Sequence, residues 1–244
     1  MVKAVVHQKT YMVEKGTTLG ELAKKIQKPG EPEILLAYTD GKLKELFKTI
    51  EEDCYIRFVT LKEQVGYMTY KRTAMFMFLK ACEDVIGTGA VDDIAIKYSI
   101  GNSSFCEFLV KDIQVTTQLA LKIQERMEWL RDQDLPITKH AVDTSKVRKY
   151  FESIGLKEKE RLFRFRRGSK TNLYCLDGYE DYFYGYMAPS TGYIRNFLVS
   201  PYQDGLVLQT PKRHQTEKIA KFYPQPKLFR VMQRSQRMEQ DPGG

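Results

Sequence analysis

"TYKRTAMFMFLKACEDVIG", Thr69 to Gly87, is the stretch on which the fold turns. Ala74, Met75, Phe76, Met77, Phe78, Leu79, Ala81, Cys82, Val85 and Ile86 put apolar side chains nearly all round a helix. A helix without a polar face has no side to give to water, so it is expected at the centre of a domain. Gly87 and Gly89 stop it.

Upstream, residues 1 to about 62 read as a small mixed unit. "VKAVVH" is a strand, Gln8-Lys9-Thr10 a tight turn and "YMVEKG" a second strand. Thr18 and Glu21 have the form of a capping box that opens a short helix, Leu19 to about Gln27, which Gly30 and Pro32 break. "EILLAY" is a third strand, Asp40-Gly41 a turn, and "CYIRFVTL" a last strand. A hairpin, one helix and further strands in so short a span predict a ubiquitin-like β-grasp. A core that small leans on a neighbour.

Downstream, a second unit begins near Gly66. Residues 92–110 predict a strand pair turning at Gly101-Asn102. "DIQVTTQLALKIQERMEWLRDQDLP" is amphipathic, with Leu119, Ile123, Met127 and Leu130 on one stripe and Pro136 as its stop. "DTSKVRKYFESIG" is a further helix, capped by Thr144 or Ser145, with Val147, Tyr150, Phe151 and Ile154 on its apolar face. "RLFRFRRGSKTNLYCLDGY" reads as a hairpin turning at Gly168-Ser169. "DYFYGYMAPSTGY" (Asp181 to Tyr193) and "IRNFLVSPYQDGLVLQTP" supply more strands. His140 falls in a loop beside Lys139 and has no visible partner. The expected fold class is α+β, in two domains over residues 1–62 and 66–211, with residues 212–244 as a basic tail or linker.

With 42% hydrophobic and 29% charged residues in 244, the composition is that of a folded, soluble chain. No apolar run approaches the roughly 18 residues of a membrane span. "MVKAVVHQKTYMV" lacks the apolar core and small-residue cleavage site of a secretory signal. The expectation is a cytoplasmic protein with no membrane partner. Cys54, Cys82, Cys106 and Cys175 are scattered without a C-x-x-C pair, and read as small buried residues rather than staples or zinc ligands. His7, His140 and His214 are the only histidines, which leaves few parts for a metal or nucleophile site. A net charge of +8 and a pI of about 9.1 favour a polyanionic partner, an RNA or a nucleotide phosphate. The plainer reading is a dispersed, solvated basic surface.

The order of elements, with "RTAMFMFLKA" at Arg72 to Ala81 and "GYMAPSTG" at Gly185 to Gly192, resembles the N-terminal half of threonyl-tRNA synthetase. There a TGS domain, which is a β-grasp, precedes a second additional domain that edits mischarged tRNA. In that family the first element carries H-x-x-x-H, and the second a Cys followed four residues later by His. Aligned here, those positions are Lys71, Met75, Phe183 and Met187, and none keeps the family residue. A protonated Lys, a Phe and two Met thioethers make a poor zinc set and cannot organise a hydrolytic water. The resemblance therefore implies no metal, no catalytic residue and no deacylation at this site.

A front end of this kind without its editing residues resembles the bacterial uridine kinase-like (phosphoribulokinase/uridine kinase) proteins more closely. In these, similar modules precede a P-loop kinase, and "DYFYGYMAPSTGY" is similar to their corresponding segment. The chain has no G-x-x-x-x-G-K-[ST] loop to cradle phosphates. Gly41-Lys42 is followed by Leu43 and reads as a turn. ATP and Mg²⁺ are expected only of a kinase domain C-terminal to this chain, as is that domain as a partner.

Ligand-binding candidates are Lys71, Arg72, Arg164, Arg166, Arg167 and Lys170 for phosphates, and Tyr182, Tyr184 and Tyr186 for stacking on bases. Each has a plainer reading: a solvated strand face for the arginines, a helix turn reaching solvent for Lys71 and Arg72, cross-strand packing for the tyrosines. Three functions follow in order. The first is a non-catalytic ligand-binding or regulatory region of a uridine/nucleoside kinase-like protein. The second is an adaptor for tRNA-like RNA, and the third an aminoacyl-tRNA deacylase with unfamiliar residues.

Overall fold

The structure is a computed structural model, and it describes residues 1–87, 89, 91, 94–100, 102–109, 113–153 and 169–219. The class is α+β, as expected. The N-terminal unit is a five-stranded sheet in the order β2-β1-β5-β3-β4. Its strands are β1 Val2–Val6, β2 Lys9–Val13, β3 Ile34–Thr39, β4 Lys42–Glu45 and β5 Cys54–Thr60. Helix α1, Leu19–Ile26, opens with the capping box foreseen from Thr18 and Glu21. Strands β1 and β5 pair in parallel and the remaining neighbours antiparallel, the mixed pattern of a β-grasp.

One turn differs from the sequence reading, and a second stands but leads into a strand that reading lacked. The first hairpin turns at His7-Gln8, both with positive φ, while Lys9 and Thr10 already belong to β2. Positive φ at both central residues gives a two-residue loop the twist of its flanking strands. Asp40-Gly41 turns in the same way, but into β4, a strand the sequence reading did not name.

No linker separates this unit from the next. Helix α2, Gln64–Ile86, begins four residues after β5 ends. Gly66 makes this possible, because a Cβ there would run into the Thr60 carbonyl. Every residue from Thr73 to Cys82 is buried, which confirms the central helix, and Gly87 caps it at φ 120°.

Around α2 lie β6 (Ile94–Ile100) and β7 (Ser103–Phe108), the expected pair, in a sheet ordered β11-β12-β7-β6. β11 is Leu198–Tyr202 and β12 Gly205–Gln209. Helix α3, Thr117–Gln133, buries Ala120, Ile123, Met127 and Leu130 and ends at Asp134 in the left-handed region, two residues before Pro136. A third sheet, β10-β9-β8, consists of β8 Thr138–Asp143, β9 Lys170–Leu176 and β10 Tyr179–Asp181.

β8 corrects the loop assigned to His140, which sits on that strand with Nε2 3.5 Å from Glu180 Oε1. Helix α4, Thr144–Ser153, follows β8 directly. The first arm of the arginine-rich hairpin lies outside the described residues. Residues 212–219 fold back on the domain: Arg213 donates to Gln64 Oε1 at 3.0 Å, and Asn196 Nδ2 to the Thr216 carbonyl at 3.1 Å.

The largest correction concerns "DYFYGYMAPSTGY". Only Asp181 belongs to a strand; Tyr182 to Pro189 run irregularly into a 3-10 turn at Thr191–Tyr193. The alternation of Tyr182, Tyr184 and Tyr186 is therefore not a strand face. Gly185, at φ +111°, breaks any extended run.

Candidate functional site

The four positions that the sequence reading set against editing residues make contacts on two sides of α2. Lys71 and Met75, one turn apart, meet the β6–β7 pair. Lys71 Nζ donates to Ser99 Oγ at 2.7 Å and stands 5.8 Å from the Tyr67 ring; burial lowers its pKa. Met75 Sδ is 4.0 Å from Cys106 Sγ, deep in the core. The thiol there is pushed up to about 12 by burial, so it is no nucleophile at neutral pH.

Phe183 and Met187 meet the other side of α2. Phe183 packs edge-on against Phe76 at 5.4 Å between ring centroids. Met187, 1% exposed, places Sδ 3.6 Å from Thr73 Oγ1.

What holds the 185–188 segment down is a set of residues of which the sequence reading singled out only Arg72, and that as a ligand-binding candidate. Glu45, at the end of the unforeseen β4, is 2% exposed. Its Oε1 accepts from the Met187 backbone N–H at 3.1 Å and lies 2.6 Å from the Tyr174 hydroxyl. Its Oε2 pairs with Lys139 Nζ at 3.0 Å. The Tyr174 hydroxyl also lies 2.6 Å from the Gly185 carbonyl, so one proton bridges two acceptors. Burial above all, and then Glu45, raises the Tyr174 pKa, which keeps the phenol neutral.

Thr73, wholly buried, donates to the Thr69 carbonyl at 2.8 Å and accepts from Ala188 N–H at 2.9 Å. A carboxylate from the first unit thus clamps a loop of the second onto the central helix. Glu45 gave no warning because "KLKE" reads as a polar turn; only its alternation with Leu43 hinted at a strand.

Arg72 belongs to the same clamp. Its Nη1 donates to the Tyr186 carbonyl at 2.7 Å. The guanidinium lies so close to Gly185 that a Cβ there would strike it. Gly185 is required twice, for its positive φ and for this approach.

The P-S-T-G residues form a joint between the end of α3 and the segment that follows. Thr191 Oγ1 donates to the Leu130 carbonyl at 2.5 Å and accepts from Leu135 N–H at 2.8 Å. That supplies partners at the C-terminal end of α3, where helical carbonyls lack intrahelical donors. Asp134 Oδ1 accepts from Ser190 Oγ and, at 3.0 Å, from Gly192 N–H. Gly192 admits this contact because a Cβ would collide with the Asp134 side chain.

The stacking candidates separate by exposure. Tyr184 is 85% exposed. Tyr182 is half-buried beside Val142, Val147 and Leu173. Tyr186 packs on the main core, 6.0 Å from Lys139 Nζ. Lys170 is exposed at the start of β9. Arg164, Arg166 and Arg167 lie outside the described residues. Among the described residues, no three His, Cys, Asp or Glu side chains are placed to hold a metal ion. Nor is any described helix long and apolar enough to cross a membrane.

No family model matches the chain. It is similar to the threonine–tRNA ligase of Thermotoga petrophila, 27% identical over 184 residues, which cover 75% of this chain and 28% of that protein. It is likewise similar to that of Rickettsia akari, 27% identical over 185 residues, with the same coverage. These matches support the threonyl-tRNA synthetase-like reading of the fold, over only 28% of those relatives' length.

Proposed function

We propose that this chain recognises tRNA-like RNA without hydrolysing it. The observation that carries the non-hydrolytic part of the reading is the clamp. The segment read as matching the editing site is tied to β4 by Glu45 and to α2 by Thr73 and Arg72, with Met75 and Met187 buried where lone-pair donors would be needed. Support for RNA comes from the similarity to tRNA ligases and from the net charge of +8. Exposed Tyr184, with Lys170 and the arginines of the 161–168 stretch, supplies stacking and phosphate contacts on this reading. The test is filter binding of uncharged tRNA across salt concentrations. For four phosphate contacts, affinity falls by about 50- to 150-fold between roughly 50 and 200 mM salt; salt-independent binding, or none, rejects the reading.

The finer reading makes the chain the front end of a uridine kinase-like protein, with residues 212–244 leading toward the kinase. It rests on the likeness of Asp181 to Tyr193 to that family's segment. A P-loop encoded beyond Gly244 in the gene is the outcome it requires.

A further inference from the structure

Away from the clamp, a second feature spans both units. The turn after α1 faces the Gly192–Arg195 segment across a pocket of about 440 Å³. A neighbouring pocket of about 320 Å³ shares Glu33, Tyr193 and Arg195. The Arg195–Glu33 ion pair, 2.8 Å from Nη2 to Oε2, lines both.

Charges of both signs converge on the larger pocket: Lys24, Lys28 and Arg195 against Glu31, Glu33 and Asp134. Equal in number, they form a single ion pair among the described residues, Arg195–Glu33. The Glu33 side chain is 18% exposed. Burial raises its pKa more than Arg195 and Lys24 lower it, and Asp134 pushes the same way as burial. Under-neutralised carboxylates of this kind favour an added cation.

Asp134 spends Oδ1 on Ser190 and Gly192, while Oδ2 accepts no hydrogen bond from a described residue. On the opposite side, Arg195 is 68% exposed and pairs through Nη2, which leaves other guanidinium donors open. Lys24 is exposed, and makes no ion pair with a described residue.

A ligand with one ammonium and one carboxylate on adjacent positions satisfies both sets. A phosphate would meet three carboxylates, and a simple amine three cations. The volume lies in the range of small-molecule sites. We propose that the pocket binds a free α-amino acid, whose ammonium is held by Glu33 and Asp134 and whose carboxylate is held by Arg195 and Lys24. Because the walls come from both units, occupancy ties the β-grasp more firmly to the second domain. The site uses none of the residues assigned to RNA, so its failure leaves that reading standing.

The experiment is equilibrium dialysis of the full chain against each of the twenty free amino acids, at up to about 5 mM so that a weak site still fills. Controls are the amide and the N-acetyl form of any binder, and inorganic phosphate. One or more amino acids bind at one per chain. The amide and N-acetyl forms bind at least about tenfold more weakly, and Glu33→Gln and Lys24→Gln each weaken binding to a similar degree. Lys24 is exposed on α1, so that variant folds even if Glu33→Gln does not. The proposal fails if no amino acid binds, if either blocked form binds equally well, if Lys24→Gln binds as wild type, or if only phosphate is retained.

Discussion

Replacing Glu45 by alanine removes the acceptor on which three parts of the molecule converge. The Met187 N–H at 3.1 Å, the Tyr174 hydroxyl at 2.6 Å and Lys139 Nζ at 3.0 Å lose their common partner together. Lys139 is partly exposed and recovers water, so its loss is small. The Met187 N–H and the Tyr174 hydroxyl are not so placed. Met187 is 1% exposed and Tyr174 likewise. Leaving a buried donor without a partner costs about 1–3 kcal/mol, and a hydrogen bond to a charged group contributes about 1.5–3. Tyr174 retains the Gly185 carbonyl, which softens the loss. The balance is roughly 3–5 kcal/mol, in line with breaking a buried ion pair on one side. That is a large share of the 5–15 kcal/mol that holds a domain folded. Glu45→Gln keeps one oxygen acceptor and costs less, about 1.5–3 kcal/mol. Urea unfolding followed by fluorescence reads both values, and hydrogen exchange at Met187 and Ala188 reads the clamp directly. A Glu45→Ala protein within about 1 kcal/mol of wild type, with those amides still protected, would refute the clamp.

Other perturbations probe the same structure. Thr73→Val removes the acceptor for Ala188 N–H and destabilises by about 1–3 kcal/mol in a denaturant titration, whereas Thr73→Ser keeps the acceptor, leaves the Ala188 amide protected, and costs only its buried methyl, about 0.5–1.5 kcal/mol. Gly66→Ala drives a methyl group into the Thr60 carbonyl, and lowers the melting temperature by the equivalent of about 1–3 kcal/mol or more. Lys71 has a folded-state pKa below its unfolded one, so the unfolded chain binds more protons between the two values and stability rises with pH through that window. Lys71→Met removes this alkaline gain, which melting curves from neutral pH to about pH 10.5 measure. Tyr184→Ala leaves stability unchanged, because the side chain is 85% exposed. It weakens tRNA binding by about 1–3 kcal/mol in the filter assay if a base stacks there.

Sequence patterns resolved whatever local chemistry dictates. The capping box at Thr18, the turn at Asp40-Gly41 and the all-apolar face of α2 each depend on near neighbours, and each stands as read. Strands β4 and β8 were missed because "KLKE" and "TKHAVD" are short and polar; their partners, β3 and β9, decide them. The Tyr182–Tyr186 stretch failed in the opposite sense. Its alternation suits a strand, but β10 pairs with β9 only as far as Asp181. Beyond that, bonds to Arg72, Tyr174, Glu45 and Thr73 fix the chain, and these reach across 11 to 142 residues of sequence. No local period records such contacts. The two motifs carried the reading that editing residue types are absent at Lys71, Met75, Phe183 and Met187, whereas the carboxylate clamp from the first unit required the fold.

The most direct test of non-hydrolytic recognition is to incubate tRNA carrying a mischarged aminoacyl ester with saturating protein, and to follow binding and ester loss in the same tube. The account predicts that the tRNA is bound and its ester decays at the protein-free rate. Accelerated hydrolysis, abolished by Lys71→Ala, would contradict it.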